Sequence, residues 1–255
     1  NLVDTITTDA TGYASIELDE GTYLLVEEDD PTIGSWELMW NPKYSGNILQ
    51  FNNSRDSFGT AQYYLGLDVN SKSEAEWRMA LEELRLQQPH VQGYVMDEIF
   101  AIMQNEEAWI APYYAGDYLT MAEENENLAF YLPENQGFNR FVDAMCIPID
   151  SRQKEIAEYY INFMLSTDLV INGEPCDVAR ANAEYIYYAT PNAAVYENPE
   201  YQESLGMGDE ECDYYAMLYP EGFDFAASYE QFAYANLDPE LLAYISDLWL
   251  DLKLQ

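Results

Sequence analysis

The chain has 255 residues, 48% of them hydrophobic and 15% aromatic, which is enough for one large or two small domains and argues against a mainly disordered state. It carries 10 Lys and Arg against 47 Asp and Glu, a formal net charge of −37. This balance argues against a nucleic-acid partner and an anionic membrane surface, which both need basic residues. The acidity serves either solubility or the attraction of cations into an acidic cleft, and composition does not separate the two.

The residue types also limit the chemistry. His90 is the only histidine, so a His-based triad or a multi-His metal site is not expected. Cys146, Cys176 and Cys212 lack CxxC spacing and predict neither a zinc site nor a disulfide framework. No GxGxxG, P-loop, GxSxG or HExxH motif occurs, and no apolar run predicts a membrane span. We therefore expect no enzyme, cofactor or metal, although the carboxylate pair of a glycosidase stays open in so acidic a chain.

Residues 1 to about 28 indicate β-structure. Tyr13–Leu18 alternates between polar and apolar residues, and Thr22–Val26 is rich in β-branched and aromatic residues. The intervening 19–21 is a turn, so the two segments predict a hairpin. Four acids and a proline at Glu27–Pro31 then predict a linker or an exposed turn.

Strand and helix patterns alternate after this break, which is typical of a mainly parallel sheet. Asn47–Phe51 predicts a buried strand, and Phe58–Leu65 predicts a helix that ends at Gly66. Ser73–Glu76 is typical of a capping box, and the helix that it opens ends at Pro89. Its apolar face consists of Trp77, Ala80, Leu81 and Leu84.

The alternation continues to the end of the chain. We expect a helix at Asp97–Asn105, a strand at Trp109–Tyr113 that leads into a loop at Gly116, and an apolar strand at Asp143–Ile149. Two further helices begin near Ser151 and at Asp238, the latter with Pro239 in its first turn. Their apolar faces are Ile156, Tyr160, Phe163 and Met164 in the first, and Leu241, Tyr244, Ile245, Leu248 and Leu252 in the second.

Acids and aromatic residues cluster beside the predicted strand ends, where open α/β sheets bind their ligands. A carboxylate binds an ammonium through a charge-assisted hydrogen bond, and an aromatic face attracts the cation and covers its methylenes. These clusters therefore predict a site for an organic cation. They are Asn53–Asp56, Tyr113–Asp117, Phe141–Asp143 and Tyr187–Tyr188.

Several motifs, in this order, resemble the polyamine-binding (spermidine/putrescine) proteins of bacterial ABC importers. They are Ser35–Gly46, Phe51–Gly59, Tyr113–Asp117, Phe141–Asp143 with Ile147–Pro148, and Ala189–Ala193. The resemblance implies an α/β fold of the periplasmic-binding-protein type II class, whose two lobes close on the ligand by a hinge motion. It also implies a non-enzymatic, extracellular protein that partners with the permease subunits of an ABC transporter.

The same resemblance implies roles for single residues in an acidic, aromatic-lined cleft. Asp56 and Asp143 would bind amine ends, while Asn53 stands where the best-known members have a second acid. Tyr114 would stack on the ligand, with Tyr113 as the one-residue alternative. The full set of candidate ligand-binding residues is Asn53, Asp56, Tyr113, Tyr114, Asp117, Phe141, Asp143, Tyr188, Tyr234 and Asn236.

The chain also departs from the family. Members of the family have a further section before the motif at Ser35–Gly46, and that section forms most of the first of the two lobes (lobe 1); here it is missing. In its place, Thr8–Gly12 and Leu18–Tyr23 resemble the end of a Cna-B/SpaA-type prealbumin-like domain of Gram-positive cell-surface proteins. We therefore expect an N-terminally incomplete chain, with one lobe largely complete, the other partial, and a β-hairpin before them. The expected boundaries are 1–30 for the hairpin, 31–141 and 196–255 for lobe 2, and 142–195 for the partial lobe 1.

The resemblance places the protein outside the cell or at its surface, membrane-tethered in its full-length form. Two other functions stay open at this point. The fold could bind an organic cation other than a polyamine, or the chain could be a cell-surface interaction module.

Overall fold

The computed structural model describes residues 30–133, 135–209, 213–220 and 233–254, together with Ser15. The predicted hairpin at Tyr13–Val26 therefore lies outside the described residues. Among the residues that are described, no helix combines the length and the apolar character that a membrane crossing requires.

A small parallel sheet lies at the centre of the better-packed part of the chain. Strand β1, Ile48–Phe51, is buried at all four positions and pairs in parallel with β2, Val91–Val95. The predicted strand at Asn47–Phe51 is thus confirmed. The predicted strand at Trp109–Tyr113 is wrong, because this segment contributes a single parallel bridge between Ile110 and Ile48.

Helices surround this sheet and continue through the rest of the described chain. Their bounds are α1 Ser54–Leu65, α2 Glu74–Gln87, α3 Ile99–Gln104, α4 Ala115–Ala122, α5 Lys154–Met164, α6 Val178–Ile186, α7 Ala193–Tyr196, α8 Pro199–Ser204, α9 Tyr214–Leu218 and α10 Pro239–Lys253. Short 3-10 helices cover Trp36–Trp40, Pro42–Tyr44 and Gln88–His90.

Several helix ends follow local sequence signals, although the residues that precede α2, α3, α4 and α5 make no side-chain capping hydrogen bond. The Asn53 side chain caps α1, and Gly66 ends it in the left-handed region at φ 67°. Ser73 precedes α2, but its side chain makes no capping hydrogen bond, so the predicted capping box is wrong. The backbone carbonyl of Ser73 accepts the N–H of Glu76 instead. Gly116, predicted in a loop, lies in the first turn of α4.

The main hydrophobic core forms where α1, α2 and α10 pack together. The predicted apolar face of α2 is confirmed, and its four residues are at most 3% exposed. On α10, Ile245, Leu248 and Leu252 are buried, while Leu241 and Tyr244 pack at the margin of the cluster. This core supports the N-terminal end of α1, which carries one of the candidate acids.

The segment from residue 142 to 171 is much less covered. The predicted strand at Asp143–Ile149 is wrong, because these residues form no ladder and Ile149 is 85% exposed. A strand needs a neighbour to accept its backbone hydrogen bonds, and none of the described residues supplies one. Helix α5 likewise buries no side chain, and Ile156 and Phe163 on its apolar face are exposed. The antiparallel pair β3 and β4, Leu169–Ile171 and Glu174–Cys176, follows it.

Asp30 holds the start of the segment 30–133 in place, and its side chain is 8% exposed. Its carboxylate accepts hydrogen bonds from the Thr32 hydroxyl (2.6 Å), the Tyr44 hydroxyl (2.8 Å) and the Lys43 ammonium (3.4 Å). Burial alone would raise the pKa of Asp30, but the hydrogen bonds from Thr32, Tyr44 and Lys43 outweigh it and hold the pKa well below its usual value.

We expect Asp30→Asn to lower the free energy of unfolding by about 1–3 kcal/mol at pH 7, because the charged acceptor of these hydrogen bonds is lost. A depressed pKa stabilises the fold above the unfolded pKa near 4, and this contribution is lost as the pH falls. Loss of this contribution begins near pH 4 and is complete only below the depressed pKa of Asp30, so the difference from the parent protein in urea unfolding should be smaller at pH 3 than at pH 7 but not absent. The same difference at both pH values, or an equal effect in the exposed control Asp150→Asn, would contradict this account.

Candidate functional site

A hollow of about 610 Å³ opens beside the carboxyl end of β1 and the N-terminal ends of α1 and α4. One wall is the 3-10 helix at Trp36–Trp40 together with residues 128–133 and 138–141. The Trp36 indole N–H donates to the Gly137 carbonyl at 2.8 Å, and the Trp36 backbone N–H donates to the Gln136 side chain, so these two parts of the wall are joined. The lining is mostly aromatic and aliphatic.

Asp56 lies in the first turn of α1 and faces this hollow. Its Oδ2 accepts hydrogen bonds from the Asn53 amide (2.5 Å) and from the Tyr114 hydroxyl (3.0 Å). None of the ion pairs among the described residues includes Asp56. The neighbouring Arg55 bonds to Val69 and Asn70 on the other side of the helix. The carboxylate is therefore oriented by neutral donors and can accept a cation from the hollow.

Four aromatic rings continue the wall from Asp56. Tyr114 lies 5.6 Å from Phe51 and 5.4 Å from Phe141, and Phe141 lies 6.2 Å from Tyr188, all between ring centroids. Burial, and then the Asp56 charge, raise the pKa of Tyr114, so its hydroxyl is a stable donor at neutral pH. Such a row of rings can cover the methylenes of an extended ligand and attract its charge.

Tyr188 closes the row by packing on α4. Its hydroxyl lies beside the Asp117 carboxylate, and burial raises the pKa of both groups. Its ring lies so close to Gly116 that a Cβ there would come within 2.2 Å of the ring. The adjacent Tyr187 hydroxyl bonds to Glu123 at the end of α4. The segment after α6 is thus attached to α4 through both tyrosines.

The ten residues predicted to bind ligand fall into three groups. Asp56, Tyr113, Tyr114, Phe141, Tyr188 and Tyr234 line the hollow. Asn53 and Asp117 do not line it; Asn53 donates to Asp56, and Asp117 lies beside Tyr188. Asp143 and Asn236 are exposed and lie outside it. The hollow thus unites six candidates, while direct ligand contact stays a prediction for all ten.

Sequence reasoning missed three prominent lining residues, namely Trp36, Tyr63 and Arg140. Trp36 and Tyr63 stack with their centroids 6.0 Å apart. Arg140 is 8% exposed, and its guanidinium lies 4.5 Å from the Phe138 ring centroid. The available signal was an arginine next to the aromatic motif at Phe141 in a chain with only 10 basic residues. Within the described ranges, no group of three His, Cys, Asp or Glu side chains could hold a metal ion.

We expect Gly116→Ala to displace Tyr188 and to lower the free energy of unfolding by about 1–3 kcal/mol, because the added methyl overlaps the ring. Urea unfolding measures the effect. Gly93→Ala is the matched control, because the nearest atom to a Cβ at that position is 3.9 Å away. A Gly116→Ala protein as stable as the parent would mean that Tyr188 does not pack on α4 in solution.

The family is shown by comparison with known proteins. The family model for bacterial extracellular solute-binding proteins matches residues 25–172, which is more than half of the chain. The chain belongs to this family. Its mixed α/β structure, with one part well packed and another poorly covered, agrees with a periplasmic-binding-protein fold of which part is absent.

The names of individual relatives also state which ligand those proteins bind. The spermidine/putrescine-binding periplasmic protein of Salmonella typhimurium is 30% identical over 166 residues, which are 65% of this chain and 45% of that protein. The putrescine-binding periplasmic protein PotF of Escherichia coli is 25% identical and matches the same shares. The solved spermidine/putrescine ABC transporter substrate-binding protein PotD of Streptococcus pneumoniae is 26% identical with a TM-score of 0.67, over 90% of this chain and 63% of that one. The chain therefore spans less than half the length of the Salmonella typhimurium and Escherichia coli proteins.

Proposed function

We propose that the protein is the solute-binding component of an ABC importer and that it binds polyamines such as putrescine and spermidine. The observation that supports this most directly is Asp56, a carboxylate that lines an aromatic hollow with neutral donors as its described partners. A cationic amine is the ligand that such a group attracts. The names of the relatives point to the same class of ligand.

In this proposal the mechanism is binding and not turnover. One ammonium of the ligand donates to Asp56, and the rings of Tyr114, Phe141 and Tyr188 cover the methylenes. The net charge of −37 draws cations toward the protein over long range. The loaded protein would then deliver its ligand to the permease subunits of the transporter, from a membrane-tethered position at the cell surface.

The proposal keeps the domain boundaries expected from the sequence. Residues 31–141 and 196–255 would form lobe 2, and residues 142–195 a partial lobe 1. The exposed apolar side chains of α5 support this division, because in a complete lobe they would be covered. A cleft closed on one side shields the ligand less from water, so we expect weaker binding than in a two-lobed relative.

Isothermal titration calorimetry tests the function directly. We expect saturable heats with putrescine and with spermidine, and none with succinate, a four-carbon dianion that carries the opposite charge. The absence of heat for both amines would contradict the proposal. Measurement at several salt concentrations separates specific binding from the general attraction of cations, since only the latter disappears at high salt.

A further inference from the structure

Residues 233–238, which precede α10 and belong to no helix or strand, include Tyr234, a residue that lines the hollow. Backbone groups in such a stretch are not paired within a helix or a sheet, so its position depends on contacts with other parts of the chain. Asn70 makes two of these contacts, with residues that follow it by 163 and 165 positions. The placement of Tyr234 therefore depends on a residue far away in the sequence.

Asn70 bonds to the backbone on both sides of Tyr234. Its Nδ2 donates to the Ala233 carbonyl at 2.7 Å, and its Oδ1 accepts the N–H of Ala235 at 2.8 Å. A side-chain amide has both a donor and an acceptor, so it can pair with two backbone groups as the edge of a strand would. The Asn70 backbone N–H in turn donates to the Asp68 carboxylate at 2.8 Å. Because both neighbours of Tyr234 are held, the direction of its side chain is held as well.

Helix α1 receives the Tyr234 side chain on one of its faces. Arg55 and Gly59 are four residues apart and therefore share a face of this helix. The Arg55 guanidinium lies 4.5 Å from the centroid of the Tyr234 ring, and a Cβ at Gly59 would lie only 2.0 Å from the Tyr234 hydroxyl oxygen. The glycine thus leaves the room that the hydroxyl needs, and Tyr234 packs on α1 at two successive turns.

Arg55 connects this arrangement to Asp56. Its guanidinium donates to Asn70 Oδ1 at 3.1 Å, and it also lies 5.3 Å from the centroid of the buried Trp77 ring. Arg55 immediately precedes Asp56 in the first turn of α1. The contacts that hold Tyr234 therefore begin next to the carboxylate that lines the hollow.

We infer that Asn70 is a positioning residue for ligand binding. Through its two hydrogen bonds it holds the Tyr234 ring on α1, where the ring covers part of a ligand that is bound to Asp56. Asn70 itself lies outside the hollow, so it acts through Tyr234 and not by contact with the ligand. The inference rests on the proposed function for the nature of the ligand, a polyamine.

Chemical modification tests the positioning in the absence of ligand. N-Acetylimidazole acetylates accessible tyrosine hydroxyls, and mass spectrometry identifies which tyrosine has reacted. Burial raises the pKa of Tyr234, so its hydroxyl should react slowly in the parent protein. We expect Asn70→Ala to raise the acetylation rate of Tyr234 about 10-fold, because the two hydrogen bonds that hold the segment are lost.

Two further variants control this experiment. Asn198→Ala also removes an asparagine that bonds to backbone, since Asn198 Oδ1 accepts the N–H of Glu200 at 2.8 Å and caps α8, but this side chain lies outside the hollow. It should leave the acetylation rate of Tyr234 unchanged. Asn70→Asp keeps the acceptor for Ala235 and loses the donor to Ala233, and it replaces the alanine variant if that protein does not fold.

Calorimetry with putrescine tests the role in binding. We expect Asn70→Ala and Tyr234→Ala each to weaken binding about 10-fold, because a ring that attracts the cation is displaced or removed. The double variant should bind like Tyr234→Ala alone, because the two changes act through the same ring. Asn198→Ala should bind like the parent protein.

The outcomes separate the two proposals. An unchanged acetylation rate of Tyr234 in a folded Asn70 variant would overturn the positioning role, whichever ligand the protein binds. If the parent protein binds neither putrescine nor spermidine, the proposed function fails and the role of Asn70 in binding fails with it. If the parent binds putrescine and the folded Asn70 variant binds it as tightly, or if the losses add in the double variant, the proposed function stands and this inference is overturned.

Discussion

Asp56→Asn should weaken the binding of putrescine and spermidine roughly 100-fold. The change removes the carboxylate of the hollow and keeps the size of the side chain. Loss of one partner of a buried, hydrogen-bonded charge pair costs about 2–5 kcal/mol, which brackets this loss of affinity. Thermal stability should change little, because within the described part of the chain Asp56 is bonded to neutral donors and forms no ion pair.

The controls for this prediction are other Asp→Asn changes, measured by the same calorimetry. Asp150→Asn alters an exposed acid outside the hollow and should leave affinity within about threefold of the parent. Asp143→Asn is the more informative comparison, because the family resemblance implies that Asp143 binds an amine and yet this residue is exposed. A loss at Asp143 as large as that at Asp56 would show that the ligand lies outside the hollow described here.

Trp77→Ala should have the largest effect on stability, a loss of about 3–5 kcal/mol in the free energy of unfolding. Trp77 is fully buried, packs edge-on against Phe58 at 5.6 Å and donates its indole N–H to the Ser71 carbonyl at 2.8 Å. The guanidinium of Arg55 also lies 5.3 Å from its ring centroid. Truncation would leave a cavity beneath α1, the helix that carries Asp56.

Trp109→Ala is the matched control, because the same side chain is removed where it is 48% exposed. We expect a loss below about 1 kcal/mol there, measured as for Trp77 by urea unfolding. Equal losses at both positions would mean that the α1–α2–α10 cluster is not the main source of stability.

The elements predicted correctly are those whose signal lies within one segment. The apolar spacing of α2, the capping residue Asp238 of α10 and the buried strand at Ile48–Phe51 each follow from a few neighbouring side chains. The strand predicted at Asp143–Ile149 has an equally clear apolar pattern but forms no ladder. An apolar pattern makes a segment suitable for a sheet, and only a paired neighbour makes it a strand.

The site divides in the same way. The sequence motifs identified Asp56, Tyr114, Phe141 and Tyr188, and the fold brings these into one hollow. The sequence motifs did not identify Arg140, because the position of Arg140 on the wall depends on contacts between residues about 100 positions apart. One such contact is the hydrogen bond from Trp36 to Gly137.

By itself, the sequence determined the acidic character of the molecule, five of the ten described α-helices (α1, α2, α3, α5 and α10) and the candidate acids and rings. These depend on composition and on contacts between near neighbours along the chain. Only the tertiary structure decided which side chains share the hollow, because Asp56 and Arg140 both line it through long-range packing that no local pattern records.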